Sequence, residues 1–210
     1  LKKKNYIFVD GRYTLQANRQ CSNKFKIFTI PHKYPYKVFK KKINLGFDPR
    51  LHTENSLKRI FGNSPINLKP INKNLIDLIW KRNKNIKPKT FYVLNKKDVG
   101  SSKKEKISRL LQELRVNKAD YIFSTASENI AWLLNIRGCD DDYSPLPHAH
   151  ILIDKIGNIK LFCDLKKITK SFTRVLNKKM KIYEFNYLND FISKISNKRI
   201  LIDSLTCSFF

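Results

Sequence analysis

Several things are scarce in this chain, and each scarcity excludes something. No run of about 18 apolar residues occurs, so no membrane-spanning helix is expected. The basic start, Leu1-Lys-Lys-Lys-Asn5, is not followed by a long apolar stretch, so it does not read as a secretory signal. The first residue is leucine rather than methionine, and the chain is read as starting mid-protein or trimmed. The four cysteines, Cys21, Cys139, Cys163 and Cys207, have no C-x-x-C spacing, which argues against a zinc site or a disulfide framework and for the reduced thiols of a cytosolic protein. Acidic residues are few: 17 Asp and Glu stand against 43 Lys and Arg, a net charge of +26 over 210 residues. Such an excess attracts polyanions non-specifically. Here the lysines are spread along the chain rather than gathered into one stripe, and Lys, Asn and Ile are abundant together, the pattern of an A+T-rich genome. A dispersed excess is not the clustered footprint of a nucleic-acid site.

What is present is enough to fold. The apolar fraction is 41% and the aromatic fraction 12%, which excludes a disordered chain and allows one large domain or two small ones. The most informative stretch is Tyr121-Ile-Phe-Ser-Thr-Ala-Ser-Glu-Asn-Ile-Ala-Trp-Leu-Leu-Asn-Ile-Arg-Gly138. Tyr121 to Phe123 reads as a buried strand, Thr125 and Glu128 as a capping box, Ile130 to Leu134 as a short helix, and Gly138 as its stop. Upstream, Ser102 to Val116 reads as a helix with Ile107, Leu110, Leu111 and Leu114 on one face.

The order of elements repeats. Tyr6-Ile-Phe-Val9 with Asp10, then a helix from Arg12 to Arg19, then Phe25 to Ile30, then Asn44 to Asp48 form one series. Lys160 to Asp164, a helix from Leu165 to Leu176, Met180 to Phe185, a helix from Tyr187 to Ile195, then Arg199 to Asp203 form the other. The offset is 154 from Asp10 to Asp164, 155 from Phe25 to Met180, and 155 from Asp48 to Asp203. A fixed period with a fixed element order points to two copies of one α/β domain. The first series continues with Thr53 capping a helix over Glu54 to Phe61, stopped at Gly62, and an extended Asn67 to Ile71. The expected organisation is 1–72 as the C-terminal half of a first domain and 73–89 as a linker. In that linker Leu75, Ile76, Leu78, Ile79 and Trp80 pack onto one domain. Residues 90–210 form a nearly complete second domain. The first copy is truncated at its start, the second at its end.

Three stretches carry a family resemblance. Asp10-Gly-Arg-Tyr-Thr-Leu-Gln-Ala17 resembles the DGRYxLQA box of the Xaa-Pro aminopeptidases (aminopeptidase P). Asn74-Leu-Ile-Asp-Leu-Ile-Trp80 is similar to their NLVDxIW segment. Ser127-Glu-Asn-Ile-Ala-Trp-Leu-Leu-Asn-Ile-Arg-Gly138 is similar to their DEIAWLxNxRG segment, with Cys139-Asp140 where Ser-Asp is usual. The resemblance implies tandem creatinase-type N-terminal domains, each a ribonuclease H-like mixed sheet flanked by helices, ahead of a pita-bread catalytic domain. That catalytic domain holds two divalent metals, commonly manganese, on two Asp, one His and two Glu, and removes the N-terminal residue before a proline. The resemblance implies further that this chain is the non-catalytic N-terminal part, lacking the catalytic residues and the metal site. It would shape substrate access and subunit contacts in a cytoplasmic homodimer.

Arg12 is the candidate substrate-binding residue, because the arginine of the DGRY box contacts the bound peptide in the family; the other reading is a structural pair with a nearby aspartate. His148 and His150, two apart, would share a face of a strand, but no acidic partner follows at a useful spacing, so they read as ordinary substitutions rather than as a metal pair. Asp140-Asp-Asp142 reads as a solvated loop. The alternative function is a non-catalytic binding module using its basic surface on nucleic acid or acidic proteins; no specific nucleic acid and no membrane partner are expected. Dispersed charge predicts that binding to duplex DNA, followed by fluorescence anisotropy, is lost between about 50 and 200 mM salt. A sequence-selective complex at the higher salt would contradict the dispersed-charge reading.

Overall fold

The computed structural model describes residues 5–62, 64–80, 88–174 and 178–208. The chain divides into two compact units, one over Leu1–Lys81 with the last three residues and one over Arg82–Cys207.

In the first unit, β1 (Asn5–Asp10) runs through a single 3₁₀ turn into α1 (Thr14–Gln20) and returns as β2 (Phe25–Ile30). After α2 (Pro35–Val38) come β3 (Ile43–Phe47), α3 (Glu54–Phe61), β4 (Ile66–Pro70) and α4 (Leu75–Ile79). β1 pairs parallel with β2, and β3 pairs parallel with β4, as two separate two-stranded sheets. Helix α3 has the expected limits: the Thr53 hydroxyl accepts the Ser56 N–H, Ser56 Oγ accepts the Thr53 N–H, and Gly62 closes the helix with positive φ.

The second unit is a layered α/β structure. β5 (Tyr92–Val93) is followed by α5 (Lys103–Val116), β6 (Tyr121–Ser124), α6 (Ser127–Leu134) and β7 (Ile136–Arg137). Then come β8 (His150–Asp154), β9 (Ile159–Phe162), α7 (Lys170–Arg174), β10 (Met180–Tyr183), α8 (Tyr187–Ser193) and β11 (Ile200–Leu201). Five strands form one mixed sheet in the order β10-β9-β8-β6-β11; β8 alone is antiparallel to its neighbours. Alternate residues feed opposite faces. Ile151, Ile153, Ile159 and Leu161 point into a core with Ile130, Leu134 and Phe172, onto which Ile107, Leu110 and Leu111 pack. Leu152, Phe123 and Phe162 point the other way, against Leu188, Phe191 and Ile192 of α8. Both faces are therefore covered, and each fully buried Leu or Ile contributes roughly 1.5–3 kcal/mol.

Five local expectations need correction. Helix α6 does not run to Gly138; it ends at Leu134, capped by Asn135 in the left-handed region at φ 55°. No capping box forms at its start, because Thr125 Oγ1 instead donates to the Thr206 carbonyl at 3.0 Å and Ala126 occupies the cap position. The helix expected over 165–176 is broken: a 3₁₀ turn at Leu165–Lys167 gives way to extended Ile168, and Thr169 Oγ1 then accepts the Phe172 N–H to start α7; 175–177 lie outside the described residues. The apolar residues of α4 with Trp80 do not pack down but are 58–79% exposed, while 81–87 of the expected linker lie outside the described residues. His148 precedes β8 and does not share a strand with His150.

Two register relations bear on the internal repeat. β1 and β2 align Asn5 with Phe25, and β9 and β10 align Ile159 with Met180. The sequence offsets of 154 and 155 carry the second pair onto the first.

Gly138 has a packing role. A Cβ there would lie 2.7 Å from the Leu146 carbonyl oxygen and from Pro147 Cα, both backbone atoms. Gly138→Ala is expected to cost on the order of 1–3 kcal/mol, read as a lowered melting temperature by circular dichroism. Gly100→Ala, with nothing within 4 Å of the added carbon, is the control and should melt as wild type.

Candidate functional site

The residues singled out by sequence lie at the ends of strands. β1 delivers Asp10 to a sharp exit. Its Oδ1 accepts the Arg12 N–H at 2.9 Å and the Arg12 Nε–H at 2.9 Å, and Oδ2 accepts from Nη2 at 3.4 Å. The guanidinium thus folds back on the strand-end carboxylate while its side chain stays 80% exposed. The Arg12 hydrogen bond, ahead of its charge, holds the Asp10 carboxyl below the usual carboxylate range, and Asp10 raises Arg12 in turn. Part of the fork remains open for a carbonyl or carboxylate.

The same construction recurs after β3. Asp48, here buried, accepts from Arg50 N–H at 3.0 Å, Nε at 3.0 Å and Nη2 at 2.9 Å. It also accepts from Asn74 Nδ2 at 3.1 Å, while Asn74 Oδ1 caps α4 by accepting the Ile76 N–H. The Arg50 hydrogen bond is the largest of the effects that hold Asp48 far below the ordinary carboxylate range. One buried carboxylate therefore ties Asp48-Pro-Arg50 to the start of the Asn74–Trp80 segment. Sequence reading singled out neither Asp48 nor Arg50 as a pair; the shared D-x-R spacing is the signal that could have found it.

In the second unit the tryptophan-containing segment serves as a bracket. Lys106 of α5 is buried, and its Nζ donates to the Trp132 carbonyl at 2.6 Å and to Asn135 Oδ1 at 2.5 Å beneath the Trp132 ring. Asn135 Nδ2 donates to the Ser101 carbonyl, and Arg137 donates to the Ala131 and Ile136 carbonyls. Burial, with a smaller effect from Arg137, pushes Lys106 below its usual value. The cation sits on the carbonyl end of α6, where the helix dipole favours it. Lys106, Trp132 and Asn135 thus lock α5 to α6, while Arg137 ties β7 back to α6.

The aspartate loop is pinned rather than merely solvated. Asp140 forms a largely buried ion pair with Lys167, and its Oδ2 accepts the His148 N–H at 2.8 Å. Asp141 meets His148 Nε2 at 3.2 Å, and Asp142 meets Lys89 at 2.9 Å. His150 lies apart, its ring between Phe123 and Phe185. The two histidines do not converge, and among the described residues no group of three or more His, Cys, Asp or Glu is placed to hold a metal. All four cysteines are free thiols, and burial pushes Cys163 up to about 12.

With this geometry in view, the chain can be compared with known proteins. Residues 82–210 match the Creatinase/Prolidase N-terminal domain, and the chain belongs to that family. It is similar to the probable Xaa-Pro aminopeptidase P of Coprinopsis cinerea, 27% identical over 203 residues that cover 91% of this chain and 32% of the relative. It is also similar to that of Laccaria bicolor, 30% identical over 77% of this chain and 27% of the relative. The solved structure of a Caenorhabditis elegans X-prolyl aminopeptidase, described as a cytosolic enzyme with a di-nuclear active site, superposes with a TM-score of 0.80 at 25% identity. The superposition covers 91% of this chain and 33% of that one. The chain thus spans about a third of the length of the relatives it matches.

His150 yields a pH prediction. Its Nδ1 and the Ser124 hydroxyl are buried without a hydrogen-bond partner among the described residues, and burial lowers the His150 pKa from 6.5. The unfolded chain then binds the proton first, so stability is full above about pH 6.5 and falls as pH drops toward the lower folded value. His150→Phe should flatten the melting-temperature difference between pH 7 and pH 5. Removing the unpaired nitrogen should in addition return roughly 1–3 kcal/mol at both pH values.

Proposed function

We propose that this chain is the N-terminal, non-catalytic part of a Xaa-Pro aminopeptidase, an enzyme removing the residue that precedes a proline. The observation that carries this reading is the 0.80 TM-score over 91% of the chain to an X-prolyl aminopeptidase of which the chain covers a third. In this proposal residues 1–72 are the later half of one creatinase-type domain, 73–89 a linker and 90–210 a second copy, each copy built on a ribonuclease H-like mixed sheet. The coincident registers of β1–β2 and β9–β10 support the duplication. So does the shared turn chemistry of Asp10, Asp48, Asp164 and Asp203, each accepting the N–H two residues on.

In this proposal the two metals of the di-nuclear site, which the similar X-prolyl aminopeptidase has, are held by a catalytic part of the longer enzyme rather than by this chain. The role left to this chain is recognition. Arg12 is held at a strand end by its own backbone and carries a guanidinium fork suited to a peptide carbonyl or carboxylate. The working form is a cytosolic homodimer, in which these domains shape substrate access. A second reading rests on one observation, the net charge of +26: a binding module for polyanions in the same fold.

The test is made in the long enzyme and in the 210-residue chain. The 210-residue chain with added manganese should show no proline-specific turnover. In the long enzyme Arg12→Ala should lower kcat/KM roughly ten- to more than a hundredfold, the loss of one charge-assisted bond of about 1.5–3 kcal/mol. Metal content and melting temperature should stay near wild type. Efficiency within about twofold of wild type would mean that Arg12 serves only as the partner of Asp10.

A further inference from the structure

A pocket of about 280 Å³ lies in the second unit, where the segment ahead of α5 meets the end of α6. Leu94, Val99, Ser101, Lys106, Trp132 and Arg137 line it. That volume holds roughly nine waters at about 30 Å³ each, room for a small molecule and not for a peptide segment. Lys106 and Arg137 bring positive charge to it, and among the described residues neither makes an ion pair. Lys106 Nζ uses two of its three N–H groups on the Trp132 carbonyl and Asn135 Oδ1. Arg137 uses Nη1 on the Ala131 and Ile136 carbonyls, and among the described residues its Nε and Nη2 have no acceptor. The end of α6 offers about half a unit of negative charge against these two cations. Asp98, exposed, also lines the pocket but pairs with neither of them. The pocket therefore keeps an excess of positive charge.

Two other arginines of the chain show what such a guanidinium edge takes. Arg12 turns its Nε and Nη2 onto the two oxygens of Asp10, and Arg50 turns the same edge onto those of Asp48. A side-on fork of this kind matches a planar carboxylate. We infer that the pocket binds a small carboxylate with an apolar body. The Nε–Nη2 edge of Arg137 takes both carboxylate oxygens, and the third N–H of Lys106 adds one more charge-assisted bond. The body lies against Leu94, Val99 and Trp132, whose indole is 57% exposed and forms an aromatic wall. Two carbonyls already hold Nη1, so the fork is set before the ligand arrives and little side-chain freedom is lost on binding. Lys106 also gains. Burial and Arg137 hold it below its usual value, and an anion beside it acts in the opposite direction. The inference stands on this pocket and not on the peptidase reading.

Benzoate and its neutral isostere benzamide test the inference on the 210-residue chain. The ionic strength is held at about 150 mM, so that the dispersed lysines are screened. In titrations followed by nuclear magnetic resonance, benzoate should bind at least about tenfold more tightly than benzamide. Its ring protons should give Overhauser contacts to Leu94, Val99 and Trp132. Arg137→Gln should weaken benzoate at least about tenfold and leave benzamide unchanged. Arg137→Lys, which keeps the charge without the fork, should also weaken it. Asp98→Asn, which removes a competing carboxylate from the lining, should tighten benzoate. Lys104→Gln, on the exposed side of α5, should change nothing. Equal affinities for benzoate and benzamide would leave an apolar cleft without a carboxylate subsite and overturn the inference. So would the absence of any benzoate contact to Trp132 at about 10 mM ligand, a very weak affinity. A loss with Lys104→Gln as large as with Arg137→Gln would reduce the binding to net charge and overturn it too. Inorganic phosphate displacing benzoate at a lower concentration than benzoate itself needs would make the ligand a phosphate and overturn the carboxylate assignment. If Arg137→Gln loosens the end of α6 enough to lower the melting temperature, the wild-type titrations and the Overhauser contacts decide by themselves.

Discussion

A carboxylate at the end of a strand, accepting the N–H two residues further on, governs how this chain turns. Asp10, Asp48, Asp164 and Asp203 all do it, at 2.9–3.0 Å. The bond satisfies a backbone donor that would otherwise be orphaned where the strand ladder stops, and it fixes the direction in which the next helical turn leaves. At Asp10 and Asp48 the same carboxylate also holds the arginine of the turn. A residue can therefore be both structural and available: Arg12 is oriented by its pair with Asp10 and remains mostly open to solvent.

The difference between the two arginine turns follows from burial. Asp48 is nearly closed off and must have its lone pairs filled, which Arg50 and Asn74 do together. Removing either partner would leave a buried charge short of hydrogen bonds, the costly case for an ionised group. Asp10 is half-exposed and loses far less without Arg12, because water can replace it. The Asp48 turn is thus built to hold α4 in place, and the Asp10 turn to present a side chain.

Much of the fold was legible because local rules and tertiary packing agreed. Thr53, Glu54 to Phe61 and Gly62 form the helix their types require, and the stripe Ile107, Leu110, Leu111, Leu114 meets the core as its spacing demands. Legibility failed where a distant partner outbid a neighbour. Thr125 found the Thr206 carbonyl 81 residues away instead of capping its own helix. Asn135, not Gly138, took the left-handed cap, since its side chain is also held by Lys106 and Ser101. Lys106 itself falls on the line of Leu110 and Leu114, four and eight residues on, but a lysine on an apolar stripe reads as a flaw until its carbonyl partners are seen. At the candidate site, the position of Arg12 after a strand was legible; its pairing with Asp10 stood open between two readings, and the matching turn at Asp48 emerges only when the two carboxylates are compared in space.

The close approach at Gly138 has a further consequence. Its N–H donates to the Pro145 carbonyl, and its bare α-carbon lies against Leu146 and Pro147, so the two ends of the intervening loop are clasped together. Tyr143, fully exposed near the tip, lies outside that clasp. Lengthening a loop whose ends are already fastened costs only about 0.6 kcal/mol per doubling. The tip at Tyr143 is therefore where this domain can take inserted sequence, a tag or a grafted peptide, while its sheet and both cores stay as they are.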